Sequence, residues 1–357
     1  MTTPVRVAVL GAGFFGGMLA RAAFDHPDFE VLAVCDRDLA AAGRLADTVG
    51  AKAVDDLTML AQDDVLDLVF VATPNHLHAD HVIPLLAAGK HVFVEKPIAI
   101  SAAAAEAMLD AARANHRSLL VGHILRTLPG VARVHAEVVA GGIGEVREAY
   151  GVRSRVVHVP ADSADWWKLD QARSGGEMLH ELHELDLIAW FLGEPETVVT
   201  LGGDSVHRTT MSFASGAVAH HELSTTGHAA AWGFRVTGSE AALEVDFRAA
   251  EVRRYVDGTV TESWGVLDDT EANESLRAGA AGRQAYHSHN ESTAPSPLWM
   301  ATAVTHELHD VLRQLRGGHS LLVDAPDLAV RVGLAALESA AAGGRPTSPR
   351  RVATDAR

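Results

Sequence analysis

The spacing of apolar positions gives this chain two textures. In the first, short β-branched runs alternate with helical stretches: Val5–Leu10 (VRVAVL), VLAVCD ending at Asp36, Leu66–Ala72 (LDLVFVA), and HVFV before Glu95. Nearly unbroken apolar runs of this length are the pattern of parallel strands covered on both faces. A helix through Ala23 follows the first run, one through Ala88 follows the third, and IAIS opens another at Ser101. Alternation of strand and helix predicts an α/β fold with a doubly wound parallel sheet. From Glu145 the texture changes to alternating strands, EVREAYGVRSRVVHV, TVVTLGG, VHRTTMSFA, AVAHHELST, WGFRVTGS and AALEVDF, separated by short turns as in an antiparallel sheet. The expected boundary divides 1–124, a dinucleotide-binding domain, from 125–357, a substrate-binding and oligomerisation domain. Residues 267–296 lack apolar periodicity and read as a long polar loop carrying His287 and His289. Helices from Met300 to Arg316 and from Asp324 to Ala342 close the chain, with room to pack back on the first domain.

Residues 174–193, SGGEMLHELHELDLIAWFLG, predict one amphipathic helix. Ser174 and Glu177 have capping-box spacing, and Gly193 is placed to cap the far end. Met178, Leu182, Leu185, Ala189 and Leu192 fall on one side, and His180, His183, Glu184 and Leu187 on the other. That second face is either solvated or lines a cleft.

The strongest chemical signal is Gly11-Ala12-Gly13-Phe14-Phe15-Gly16, set between a strand and a helix, with Asp36 ending the next strand 20 residues after Gly16. Gly11 permits the tight turn, Gly13 the approach of a pyrophosphate, and Gly16 close helix–strand packing. The helix N-terminus then offers N–H groups and partial positive charge to phosphates. Asp36 suits the adenosine ribose hydroxyls and repels a 2′-phosphate, which favours NAD; Arg37 beside it leaves NADP disfavoured rather than excluded. Ligands of such sheets bind at the carboxyl ends of strands, which nominates Thr73, Pro74, Asn75, His78 and the Glu95-Lys96-Pro97 step. Proline forces the chain out of the sheet there and fixes where Lys96 points.

Composition narrows the partners. The 357 residues carry a formal charge of −16 with the 20 histidines neutral, which opposes nucleic acid and anionic membrane surfaces. Cys35 is the single cysteine, so neither an internal disulfide nor a Cys-type zinc site is available. No apolar run approaches the ~20 residues of a membrane span. The start MTTP lacks a basic segment and a long apolar core, which makes the cytoplasm the default compartment.

GAGFFG, ATPNHLH, AAGKHVFVEKPIAIS, WWKLDQARSGG, the HELD step and LLVDAPDLAVRVGLAALESAAAGGRPT together resemble the Gfo/Idh/MocA oxidoreductases, over essentially the whole chain. The resemblance implies an N-terminal Rossmann domain and a C-terminal α/β domain with a large, open, mainly antiparallel sheet. It implies a homo-dimer or homo-tetramer built on that sheet. It also implies hydride transfer between a bound NAD(P) and a carbinol carbon of a sugar, inositol or related polyol. Lys96 matches the lysine at the reacting oxygen, and His183 the histidine that commonly accepts the proton. Lys168 falls where a basic residue often lies near the substrate.

The match has one departure. Many relatives carry an aspartate four residues before the histidine, where this chain has Leu179. His180 is the nearest polar substitute, as hydroxyl ligand or proton relay; the alternative is a metal held by His180, His183 and Glu184. His123, Arg126 and Trp167 complete the candidate substrate contacts, Arg126 with an equal claim to be an interface ion pair. Three functions follow: a polyol dehydrogenase; a glycoside-cleaving enzyme with tightly bound, recycled NAD; and a non-catalytic NAD sensor, which the presence of Lys96 and His183 disfavours.

Overall fold

The computed structural model describes residues 3–156, 166–203, 205–281 and 296–349. Its first part runs β1 (Val5–Leu10), α1 (Phe14–Asp25), β2 (Phe29–Cys35), α2 (Leu39–Val49), β3 (Lys52–Val54), α3 (Leu57–Ala61), β4 (Leu68–Val71), α4 (His78–Ala87), β5 (His91–Glu95), α5 (Ala102–Ala114) and β6 (Leu119–Gly122). These six strands form one parallel sheet in the order β3-β2-β1-β4-β5-β6. β4 is buried at every position, which is why it reads as an unbroken apolar run.

The chain continues through α6 (Ile124–Thr127) and α7 (Pro129–Val139) into β7 (Val146–Val156), then α8 (Gln171–Ser174), α9 (Gly176–His180) and α10 (His183–Leu192). β8 (Thr197–Gly203), β9 (Val206–Ser212), β10 (Val218–Ser224), β11 (Thr226–Gly238), β12 (Ala242–Asp246), β13 (Glu251–Val256) and β14 (Thr259–Gly265) follow. The second sheet has the order β14-β13-β12-β11-β7-β10-β9-β8, antiparallel except for β7 beside β10. Last come α11 (Thr270–Ala281), α12 (Leu298–Leu315) and α13 (Leu328–Ala341). No helix among the described residues is long and apolar enough to cross a membrane.

Three apolar clusters hold these layers. One lies between the second sheet and α7, α10 and α13, with Val131, Leu185, Ile188, Phe234, Leu243 and Val332 among its members. The first sheet has one cluster on each face, and the face bearing α1 also takes Val304, Leu308, Val311 and Leu312 of α12. The chain's late helix therefore packs directly against its first one.

Three expectations need correction. Residues 174–193 do not form one helix: α8 ends at Gly175, both Gly175 and Gly176 take positive φ (84° and 80°), and a second break separates α9 from α10. The capping box is absent as well. Ser174 Oγ accepts from Gly176 N (3.1 Å), and the Glu177 carboxylate accepts from Thr225 Oγ1 (2.9 Å). The loop expected over 267–296 is helical from Thr270 to Ala281, where Ala272 and Leu276 are buried; His287 and His289 lie outside the described residues. The hairpin β13–β14 was not anticipated, although its Asp257-Gly258 turn, with both φ values positive (49° and 75°), is a strong hairpin signal.

Candidate active site

The glycine loop has the shape of a dinucleotide cradle. A Cβ on Gly11 would lie 2.6 Å from Ala72 O, and one on Gly16 would lie 1.8 Å from Gly11 O, so neither position admits a side chain. At Gly13, by contrast, nothing stands within 4 Å, which leaves the space a pyrophosphate needs. α1 starts at this loop without a side-chain cap and without an acid in its first turn, so its N–H groups remain suited to an anion. Asp36 stands at the end of β2 and accepts from Ala12 N (2.7 Å) and Asp38 N (2.9 Å), holding the loop against the strand end. Arg37 next to it is exposed. The residues present fit an NAD-binding Rossmann site.

Beyond the strand ends lies a cleft of about 190 Å³, lined from both parts of the chain. Phe14 and Phe15 of α1 and Glu95-Lys96 at the end of β5 form one wall; His180, Glu181 and His183 form another. Arg153 and Arg155 of β7, Lys168, Trp232 of β11, and Trp299 and Met300 of α12 complete it. Lys96 Nζ donates to the His180 carbonyl at 2.8 Å, so the lysine and the histidine segment are joined directly. In a continuous helix that carbonyl would accept from the backbone N–H of Glu184; here the chain turns out of helical geometry at Glu181 and Leu182 instead. Trp167 stands beside the cleft, its ring 6.4 Å from His180, and Lys168 lies over the rings of Phe15, Trp166 and Trp167.

Several nominated residues prove to be braces rather than cleft contacts. His78 is fully buried, with its two nitrogens 2.9 Å from the carbonyls of Pro97 and Thr73. Burial pushes its pKa down to about 4, so the neutral ring donates to one carbonyl at a time. Asn75 turns inward and donates to Ser174 O (2.8 Å), tying the loop after β4 to α8. Thr73 and Pro74 stay half-buried near the strand end, Thr73 Oγ1 lying 3.0 Å from His81 Nδ1. Arg126 is the clearest correction. It is 1% exposed, grips Asp186 through two nitrogens (2.9 and 2.6 Å) and donates to Leu321 O and Asp324 O, so it has no reach into the cleft. His123 is equally buried, with Nδ1 3.2 Å from Asp186 Oδ1. Glu184 turns away from both histidines: Arg153 donates to its two oxygens (2.9 and 2.7 Å) and Trp232 Nε1 to one of them (2.7 Å). His180, His183 and Glu184 therefore do not converge as a ligand set, and the described residues contain no cluster of three metal-ligating side chains.

Sequence reasoning missed Arg153, Arg155 and Glu181. The available signal was Arg-Ser-Arg within a strand, because residues two apart share a face. Arg155 Nη2 donates to Glu181 Oε1, Arg153 stands 3.6 Å from Glu181 Oε2, and both arginines face the helices. Burial pushes the Glu181 carboxyl up, but Arg155 and Arg153 outweigh it and hold the group well below the usual carboxylate range. Burial, with Lys96 nearby, keeps His180 and His183 well below the ordinary histidine value, so both rings are neutral near pH 7. Burial likewise lowers the Lys96 ammonium, against the pull of Glu181 and Glu95. Glu95 is pushed up to about 7 by burial, with Lys96 opposing.

Comparison with known proteins agrees with this architecture. Residues 5–123 match an oxidoreductase family with an NAD-binding Rossmann fold, and residues 131–244 match the GFO/IDH/MocA C-terminal domain. The chain is 30% identical over 335 residues to an uncharacterized oxidoreductase of Streptococcus pneumoniae, covering 86% of this chain and 88% of the relative. It is 28% identical to the 2,7-anhydro-N-acetylneuraminate hydratase of Escherichia coli, with 86% of each chain covered. The solved structure of levoglucosan dehydrogenase in complex with NADH and levoglucosan superposes with a TM-score of 0.79 at 22% identity, covering 98% of this chain and 100% of that one.

Proposed function

The chain belongs to the Gfo/Idh/MocA oxidoreductase family, and from that premise we propose that it oxidises or reduces a carbinol carbon of a sugar or related polyol with NAD. The observation carrying this reading is that Lys96, at the end of β5, and His183, at the start of α10, line the same cleft beside the glycine-loop helix. When bound, the nicotinamide supplies the two-electron oxidant or reductant. His183, neutral in its buried setting, accepts the hydroxyl proton during oxidation and returns it during reduction. Lys96 Nζ, anchored on the His180 carbonyl, holds the same oxygen and stabilises its developing negative charge. His180 and Lys168 contact the substrate away from its reacting oxygen, and the charge of Asp36 selects NAD over NADP. The chain works as a homo-oligomer joined through the open face of its second sheet, which light scattering would check.

A second reading keeps the same residues but recycles the cofactor. The likeness to a hydratase of an anhydro-sugar supports it, because transient oxidation acidifies a neighbouring C–H and permits elimination or addition of water.

One experiment separates the two readings. Purified protein is incubated with sugars, inositols and anhydro-sugars plus NAD or NADP, following reduced-cofactor absorbance and product composition. Stoichiometric reduced cofactor establishes dehydrogenation; substrate consumed without it establishes recycling. Under either reading Lys96→Met abolishes turnover, by about 10²-fold or more, while cofactor binding measured by fluorescence stays. Near-normal turnover in Lys96→Met would sink both.

A further inference from the structure

We propose, building on the sugar-oxidoreductase reading above, that the substrate is an acidic sugar whose carboxylate is received by Arg155 and Lys168. The first support is the distribution of charge. The whole chain carries −16, yet its cleft sets Lys96, Lys168, Arg153 and Arg155 against Glu95 and Glu181 on its wall and Glu184 behind Arg153, an excess of positive charge. An uncharged polyol gives no return for holding that excess charge out of water.

The individual cations can be told apart by what they already hold. Arg153 is spent inside the protein: its guanidinium is paired with both oxygens of Glu184 and lies 4.8 Å from the centre of the Trp232 ring. Lys96 is held on the His180 carbonyl and belongs to the reacting oxygen. Arg155 differs. Its side chain is 21% exposed against 8% for Arg153, one terminal nitrogen holds Glu181, and its buried Nε has no hydrogen-bond partner among the described residues. A planar guanidinium with donors left over is matched by a carboxylate, which accepts two parallel hydrogen bonds.

Lys168 stands over three aromatic rings on the same cleft. Burial and the neighbouring Lys96 ammonium lower its pKa to about 8, a cost that an arriving anion relieves. Of the three rings beneath the lysine, Phe15 lines the cleft itself, while Trp166 is buried and with Trp167 holds the lysine in place from behind.

The test uses the NADH-loaded protein and a panel of uronates, aldonates and ulosonates, each with its uncharged counterpart, together with hexose 6-phosphates. Calorimetry gives affinity independently of turnover, and the same compounds with NAD give kcat/KM. The expected result is that at least one acid binds about 10- to 100-fold more tightly than its uncharged partner, with the advantage shrinking as salt rises. That advantage falls about tenfold or more in Arg155→Gln. Because Arg155→Gln strands the Glu181 carboxylate, Arg155→Gln/Glu181→Gln removes the pair together and keeps the comparison readable if the single variant fails to fold.

Equal or better binding of every uncharged partner overturns the proposal. So does an acid preference that survives both variants, or a preference for phosphates over carboxylates. Tight binding of an acid without any chemistry supports the carboxylate site and overturns the oxidoreductase reading. Oxidation of a neutral polyol with no preference for acids does the reverse.

Discussion

His183 and Glu95 depart from their ordinary proton affinities in opposite directions, and the contrast is experimentally useful. A base that is neutral because it is buried works without waiting for deprotonation. The acid limb of kcat/KM set by His183 is therefore expected below the ordinary histidine value of 6.5. A limb centred at or above 6.5 that persists in Glu95→Gln would remove His183 from the role of base. Glu95 carries a stability signature. Its folded value of about 7 lies above the ordinary 4.5, so between these values the folded chain holds a proton that the unfolded chain releases. Stability from this group is complete below 4.5 and is lost as pH rises through about 7. The urea midpoint is expected to decline across that window in the native chain and to decline less in Glu95→Gln. Glu307, which burial and Glu95 push well above the usual carboxylate range, contributes in the same direction, so Glu307→Gln is the necessary companion measurement.

At the scale of elements, the segment from α8 to α10 shows where sequence reading succeeds and where it stops. The pairing of His180 with His183 was legible, and the cleft contains both. The helical face expected for them was not, because the helix breaks between the two, and Glu184 and Leu187, assigned to the same face, are buried away from the cleft. The breaks were not legible. One depends on two successive glycines taking positive φ, and the other coincides with Lys96 occupying the His180 carbonyl, a partner 84 residues away. Arg126 escaped for the same reason: its partner Asp186 is 60 residues distant, and only tertiary structure decides between ion pair and substrate contact. The glycine loop was legible because strand, glycines, helix and acid are all local. Gly151 of β7 offers a direct test of how closely α10 must approach the sheet. A Cβ there would lie 2.9 Å from the Glu184 Cβ. Gly151→Ala is expected to push α10 outward, costing about 1–3 kcal/mol by chemical unfolding and lowering kcat/KM through displacement of His183. Unchanged stability and activity would show that α10 yields freely.

For the molecule as a whole, the two sheets are joined by buried polar bonds as well as apolar packing. The Arg126–Asp186 pair links α6, just after the first sheet, to α10, which packs on the second, and the same guanidinium binds the chain again at Leu321 and Asp324. Removing one partner leaves a buried charge uncompensated. Arg126→Leu is expected to lose about 3–5 kcal/mol, whereas Arg126→Leu/Asp186→Leu recovers a large part of it. A double variant no more stable than the single one in urea titration would show that the carbonyl bonds to Leu321 and Asp324 carry the effect.

Seating α12 against α1 has a temporal consequence. A ribosome releases the glycine loop and Lys96 early, and the first sheet is complete once Gly122 has emerged. Trp299, Met300 and Val304, which complete the cleft wall, are synthesised about 180 residues later. The nascent chain thus gains a place for the dinucleotide well before it gains a finished pocket for the molecule to be transformed. Chemistry at this site waits for nearly the whole protein, and a chain released short of α12 is left without the wall that encloses the reaction.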